Sequence, residues 1–283
     1  MRARARALRF DGGHRLNYIN RPLTAYHSIM SNTERFTGRV ELYDRFRQRY
    51  PTAEILQHLR SWCGLQSDWA VADIGAGTGM LSEVFLDNGN PVVAVEPNTE
   101  MLSACARLCE IYPKLTVLDG SAESTGMPGA SVDIVAAGRA FHWFDIPRAL
   151  VEFRRILKPH GWLVLVSLGR AKGGTPQSTD FEELLTTRGI DYNYVRAGYR
   201  VHDQLKDIFT ADMHQAQIPG EQQLDWESFL GQTMSLSIVP AVNDPRFPAF
   251  TQRLREHFDR YAVDGVLTVE TTCWITAGRI STQ

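Results

Sequence analysis

The sequence predicts an α/β fold, a mostly parallel sheet with helices on both faces. Three observations carry that expectation. From Trp69 onward, short apolar runs of strand length alternate with amphipathic stretches of helical period. The strand runs are apolar at consecutive positions, as parallel strands buried on both faces require. The first of them meets its helix through the glycine-rich turn "DIGAGTG", Asp73 to Gly79, and a second strand, "PVVAVEP", completes a βαβ unit.

Bulk properties narrow the class. A chain of 283 residues, 43% hydrophobic and 22% charged, is long enough to bury a full core. A formal net charge of -2 and a pI near 6.5 give no general attraction to nucleic acid or to an anionic membrane surface, so neither is expected as a partner. No apolar run approaches the roughly 20 residues of a membrane-spanning helix. The cysteines, Cys63, Cys105, Cys109 and Cys273, lack CxxC spacing and read as reduced core residues; no metal site is expected. The opening "MRARARALRF" is Arg-rich without the apolar stretch of a secretory signal, and the expected location is the cytoplasm.

Taken in order, the elements begin with "RLNYINRPLTAYHSIM" and "TERFTGRVELYDRFRQRY", both helical in part, with Tyr18, Tyr26, Phe36, Val40, Tyr43 and Phe46 on apolar stripes. "TAEILQHLRSWCGL" is an amphipathic helix with Gly64 as its stop. After the strand "WAVADIG" come the helix "GMLSEVFLDNG", the strand "PVVAVEP" and the helix "NTEMLSACARLCE", which Asn98 is placed to cap. "LTVLDG", "SVDIVAAG" and "GWLVLVSL" are further strands, with the helix "RALVEFRRILK" before the last. From Gly169 the pattern changes: a Gly-rich loop, helical stretches "FEELLTTRG", "DQLKDIF" and "RFPAFTQRLREHFDRYA", and a long β-rich end, "VLTVETTCWITAGRI".

In open α/β sheets the first strand-to-helix turn approaches the ligand most closely. Gly75 and Gly77 occupy the first two places of a dinucleotide-binding GxGxxG, with Glu96 about 20 residues on. The third place is Met80, where that fingerprint needs Gly or Ala for close helix packing, and the third glycine arrives one place early, at Gly79. A carboxylate at Asp73 would repel a pyrophosphate but attract an ammonium group. A ligand with an amino-acid end, a ribose and no phosphate fits these residues better.

"DIGAGTG" with Glu96 resembles the DxGxGxG motif of class I S-adenosylmethionine-dependent methyltransferases. "LDGSAES", "VDIVAAGRAFHWFD" and "RRILKPHGWLVL" resemble that family's third-, fourth- and fifth-strand motifs, and the tripeptide "HWF" with "SLSIVP" is closest to a small-molecule branch of it. The resemblance implies a Rossmann-like fold with a mostly parallel seven-stranded sheet, an N-terminal helical extension and a lid insertion. Residues 1–50 read as arm and helical cap, 51–168 as the cofactor-binding core, 169–230 as a substrate lid, and 231–283 as the helix and strands completing the sheet. It implies S-adenosyl-L-methionine as cofactor and S-adenosyl-L-homocysteine as product. Gly75, Ala76, Gly77 and Gly79 would let the backbone approach the methionine and ribose, Asp73 would sit near the ammonium group, and Glu96 would accept from both ribose hydroxyls. Pro97 and Met101 would flank the adenine or serve as turn and helix core. Ser121, Ala122 and Glu123 stand where many relatives have Asp-Ala-Glu, and Gly138 ends the fourth strand.

His142, beside Phe141 and Trp143 at the sheet's carboxyl edge, is the first candidate for a base; the alternative is a structural or cofactor-contacting role. Methyl transfer needs mainly positioning, so a dedicated base need not exist. Tyr18, Tyr26, Phe141, Trp143, Tyr192, Tyr194, Tyr199 and Trp226 are candidates to wall a pocket for a small, largely hydrophobic or aromatic acceptor. The whole more distantly resembles C-methyltransferases of terpenoid-indole pathways such as that of teleocidin, which implies secondary metabolism. The N-terminal extension is expected to cap the site and to join subunits of a homo-oligomer. Two other readings stand beside this one. A nicotinamide-dependent oxidoreductase is weakened by Met80 and by the lack of a YxxxK pair, and a non-catalytic cofactor-binding module would show the same turn without turnover.

Overall fold

The computed structural model describes residues 38–171, 174–198 and 205–280. Seven strands form one sheet in the order β3-β2-β1-β4-β5-β7-β6. β1 (Val71–Ile74), β2 (Val92–Val95), β3 (Leu115–Leu118), β4 (Val132–Gly138) and β5 (Leu157–Arg170) run parallel, and β7 (Leu267–Ile280) lies antiparallel between β5 and β6 (Phe209–Leu224). The strand order reverses beside β1, so the carboxyl ends of β1, β2 and β4 surround the crevice in which such sheets bind ligands.

Helices cover both faces. α1 (Val40–Phe46), α2 (Thr52–Cys63), α3 (Met80–Asp87), α4 (Thr99–Ala106) and α5 (Ile146–Ile156) belong to the core, and α6 (Pro176–Arg188), α7 (Tyr192–Gly198), α8 (Leu205–Ile208), α9 (Trp226–Met234) and α10 (Phe247–Tyr261) follow. Their ends obey local chemistry. Asn98 Oδ1 accepts from the Met101 N–H at 2.9 Å at the start of α4, Asp225 Oδ1 from the Ser228 N–H at 2.8 Å at the start of α9, and α2 stops at Gly64, φ 71°. One core layer gathers Leu59, Phe85 and Ile134 on one face of the sheet, and a second gathers Val135, Phe153 and Leu163 on the other.

The structure departs from the sequence reading at the edge. β6 lies within residues 169–230, which read as lid alone. Its composition hides it: most of its residues are polar or exposed, and it carries Pro219 and Gly220. An edge strand tolerates this, because one side of its backbone has no ladder partner to lose. α9 crosses residue 230, so a second helical cap, distinct from the one expected over 1–50, is built from α6 of the assigned lid, α9 across its boundary and α10 of the next span. The β5–β7 pairing ends at Arg170 and Thr271, while β6 and β7 continue together to Leu224 and Leu267. A third core layer, with Phe181, Phe229, Phe250 and Phe258 at its centre, packs the cap around that two-stranded ribbon.

Candidate active site

β1 runs into three glycines in left-handed backbone, φ 68° at Gly75, 59° at Gly77 and 90° at Gly79, a region that side chains make costly. The Gly75 and Ala76 N–H groups donate to the Val95 carbonyl at 2.8 and 3.1 Å, which lays the turn across the end of β2. There Glu96 stands, 8% exposed, its Oε2 accepting from the Gly77 N–H and its Oε1 from the Asn98 N–H, each at 2.9 Å. A carboxylate has about four acceptor positions, so the side chain is fixed with capacity to spare. Burial raises the Glu96 carboxyl, and the two N–H groups oppose that rise.

The three glycines do different work. A Cβ at Gly77 would meet nothing within 4 Å, one at Gly75 would strike Ala140 Cβ at 2.7 Å, and one at Gly79 would strike Leu108 Cδ1 at 2.6 Å and Cys105 Sγ at 3.0 Å. Gly77 opens onto a cavity of about 180 Å³. Gly75 and Ala76 share that wall, as do Glu96, Pro97 and Met101 beyond β2. The loop after β3 supplies Ser121, Ala122 and Glu123, and β4 ends on the wall at Gly138.

Other expected site residues lie off that wall. Gly79 packs against α4 and the turn after it, since the helix needs the space. Asp73 is fully buried behind the turn, where its Oδ2 accepts from the Ser82 hydroxyl at 2.7 Å and its Oδ1 has no partner among the described residues. Burial raises its carboxyl to about 7, with the Ser82 hydroxyl opposing and Glu96 adding to the rise. Phe141 is core, edge-to-face with Phe144 at 5.8 Å. Trp226 opens α9 and packs edge-on to Phe258 at 5.5 Å, inside the cap. Tyr18, Tyr26, Tyr199 and residues 1–37 of the arm and cap expected over 1–50 lie outside the described residues, as does the Tyr194 side chain.

A second cavity, about 1170 Å³, adjoins the first, and the two share Tyr43, Arg139 and Trp143. His142, Trp143 and Tyr192 line it. His142 sits in a 3-10 turn (Phe141–Trp143) whose ring pair with Trp143 has centroids 4.7 Å apart, and the end of α7 comes close to it, since a Cβ at Gly198 would meet the His142 carbonyl at 2.8 Å.

Sequence reasoning missed Arg139, Tyr43, Tyr50 and Arg170. Arg139 holds φ 55°, donates to the Tyr50 hydroxyl at 3.2 Å and stacks over the Tyr50 ring at 4.9 Å, on the walls of both cavities. Burial raises the Tyr50 hydroxyl pKa, with Arg139 opposing. Arg139 directly follows Gly138 in the fourth-strand motif, which is the one signal that pointed to it.

Residues 72–165 match the family described as a methyltransferase domain. An uncharacterized methyltransferase of Mycobacterium tuberculosis is 38% identical over 131 residues, 46% of this chain and 51% of the relative. One of Schizosaccharomyces pombe is 33% identical over 125 residues, 44% of this chain and 48% of the relative. The chain thus spans about half the length of the curated relatives it matches. A proposed type II methyltransferase of Anaeromyxobacter dehalogenans aligns over 84% of this chain and all of its own, at 24% identity and TM-score 0.61, and a proposed methyltransferase of Bacillus halodurans over 80% and 97%, at 16% and 0.52. The fold is therefore the Rossmann-like class I fold. Among the described residues, no helix is long and apolar enough to cross a membrane, and no cluster of three His, Cys, Asp or Glu could hold a metal.

Proposed function

We propose that this chain is an S-adenosyl-L-methionine-dependent methyltransferase whose acceptor occupies the larger cavity. The observation that carries the reading is Glu96, a buried carboxylate fixed by the N–H of bare Gly77 with acceptor positions left over on the cavity side. That donor set suits a ribose with two free hydroxyls. Asp73, buried behind the turn and off the cavity wall, accepts from Ser82 and supports the turn, so the ligand reading rests on Glu96 and not on a charge at Asp73. Met101, Pro97 and Ala122 offer apolar surface for a purine.

The cofactor's sulfonium supplies the methyl group and the reactivity when bound. The protein's own part is orientation. Tyr43, Arg139 and Trp143 stand where the two cavities meet, so they set how the acceptor approaches. His142 lines the acceptor side alone and is the group suited to take a proton from an acceptor O–H or N–H. Tyr43, Trp143, Tyr192 and Trp274 on the larger wall support a small acceptor with an aromatic or largely hydrophobic body, and the sequence resemblance alone supports a place in secondary metabolism. A prenylated indole of the teleocidin-precursor kind, methylated at carbon, is one member of that acceptor class, since aromatic faces stabilise the cation such a step leaves.

The test is calorimetric titration with S-adenosylmethionine, S-adenosylhomocysteine, NAD and NADP. Binding of the two sulfur nucleotides alone is expected, and Glu96→Ala should weaken it by about 2 kcal/mol, roughly thirtyfold. Binding of NAD or NADP instead, or unchanged affinity in Glu96→Ala, overturns the reading. Cofactor binding without methylation of any acceptor leaves a non-catalytic module.

A further inference from the structure

Arg170 is the last residue of β5 and lines the larger cavity at the base of the cap. Its guanidinium carbon lies 3.6 Å over the centroid of Phe181 and 5.1 Å from that of Phe229. Stacking holds the group in place but does not neutralise it. Nη1 is buried with no hydrogen-bond partner, and none of the ion pairs among the described residues includes Arg170. The other arginines on this wall differ. Arg139 donates to Tyr50, and Arg47 donates to the Ser235 hydroxyl at 3.1 Å. The cavity's acids, Glu182 and Glu183, are exposed residues of α6. Burial without a counter-ion pushes Arg170 down to about 9, which still leaves it charged at neutral pH.

A cation in an apolar cup with an unsatisfied donor is costly unless its partner arrives with a ligand. We infer that Arg170 is the docking point for an anionic group, a carboxylate, at the far end of the methyl acceptor. The inference builds on the methyltransferase reading, though not on the neutral prenylated-indole class. The strand sets a length. Gly138, on the cofactor cavity, pairs with Val166, and Arg170 is four residues further along β5, roughly 13 Å at about 3.3 Å per residue. An acceptor reaching from the cofactor cavity at the end of β4 to Arg170 is thus an elongated aromatic acid, its ring body against the cavity's aromatic walls.

The test uses biphenyl-4-carboxylate and 4-phenylbutyrate against their primary amides, titrated into full-length protein saturated with S-adenosylhomocysteine. Both acids should bind roughly tenfold or more tightly than their amides. That preference should vanish in Arg170→Gln and survive in Arg170→Lys. Affinity for S-adenosylhomocysteine is measured on each variant separately and reports an intact fold and cofactor cavity. Equal affinity for acid and amide, no saturable binding of either acid, or a preference that persists in Arg170→Gln overturns the inference. Failure of S-adenosylhomocysteine to bind the unaltered protein overturns the methyltransferase reading instead, so the two failures are separable.

Discussion

Asp73 and Glu96 are two carboxylates at adjacent strand ends, and burial raises both, yet only Glu96 reaches the cavity. Asp73 titrates in the folded protein near 7, against about 4 for an unfolded aspartate. The neutral form is the one the fold favours. Its stabilising contribution is therefore complete below about pH 4 and is lost as pH rises through 7. Asp73→Asn removes that titration, so urea unfolding at pH 5 and pH 8 should show a smaller difference for the variant than for the unaltered protein. Parallel profiles would contradict the burial argument. His142 poses a different question, because its position beside Trp143 suits either proton transfer or packing. In the first case His142→Ala lowers kcat by about 100-fold with unchanged affinity for S-adenosylhomocysteine. An unchanged kcat assigns it to packing.

At the scale of the element, the glycine turn divides its labour between ligand and helix. Gly77 and Gly79 share a left-handed backbone, so alanine strains both by about 1 kcal/mol. Only at Gly79 does the new methyl also strike protein, at Leu108 and Cys105. Gly79→Ala should lower the unfolding free energy by a further 1–3 kcal/mol, roughly the cost of overpacking. Gly77→Ala should stay near the strain cost alone while losing most affinity for S-adenosylhomocysteine, because its methyl enters the cavity. Denaturant unfolding and titration of the two variants check this, and equal stability losses would refute the division. The motif's spacing was legible in the sequence, but which glycine serves the ligand was not. That depends on what lies opposite each Cα, and Leu108 stands 29 residues away in the chain.

At the scale of the molecule, the cap is held by its own core around the β6–β7 ribbon. Phe229 is fully buried there, with ring centroids 5.7 Å from Phe181 and 5.8 Å from Phe258. Arg39 ties α1 to the same unit by donating to the carbonyls of Met234, Leu236 and Val239. Phe229→Ala should cost about 3–5 kcal/mol of stability and impair acceptor binding, yet leave cofactor affinity intact, since the cofactor cavity is walled by the other layers. Coupled loss of both affinities would show that cap and core fold as one unit. The sequence by itself determined the parallel core, the turn and Glu96, because strand burial, helix period and glycine backbone are local signals spaced along the chain. Only the tertiary structure decided the rest. β6 is polar and broken by Pro219, so an edge position alone makes it a strand; Trp226 looks like a pocket wall until α9 turns it inward. Arg139 is marked only by its place after Gly138 in the fourth-strand motif, and Arg170 carries no local signature. Their roles come from what the fold places opposite them, a tyrosine hydroxyl for one and a phenylalanine face with no anion for the other.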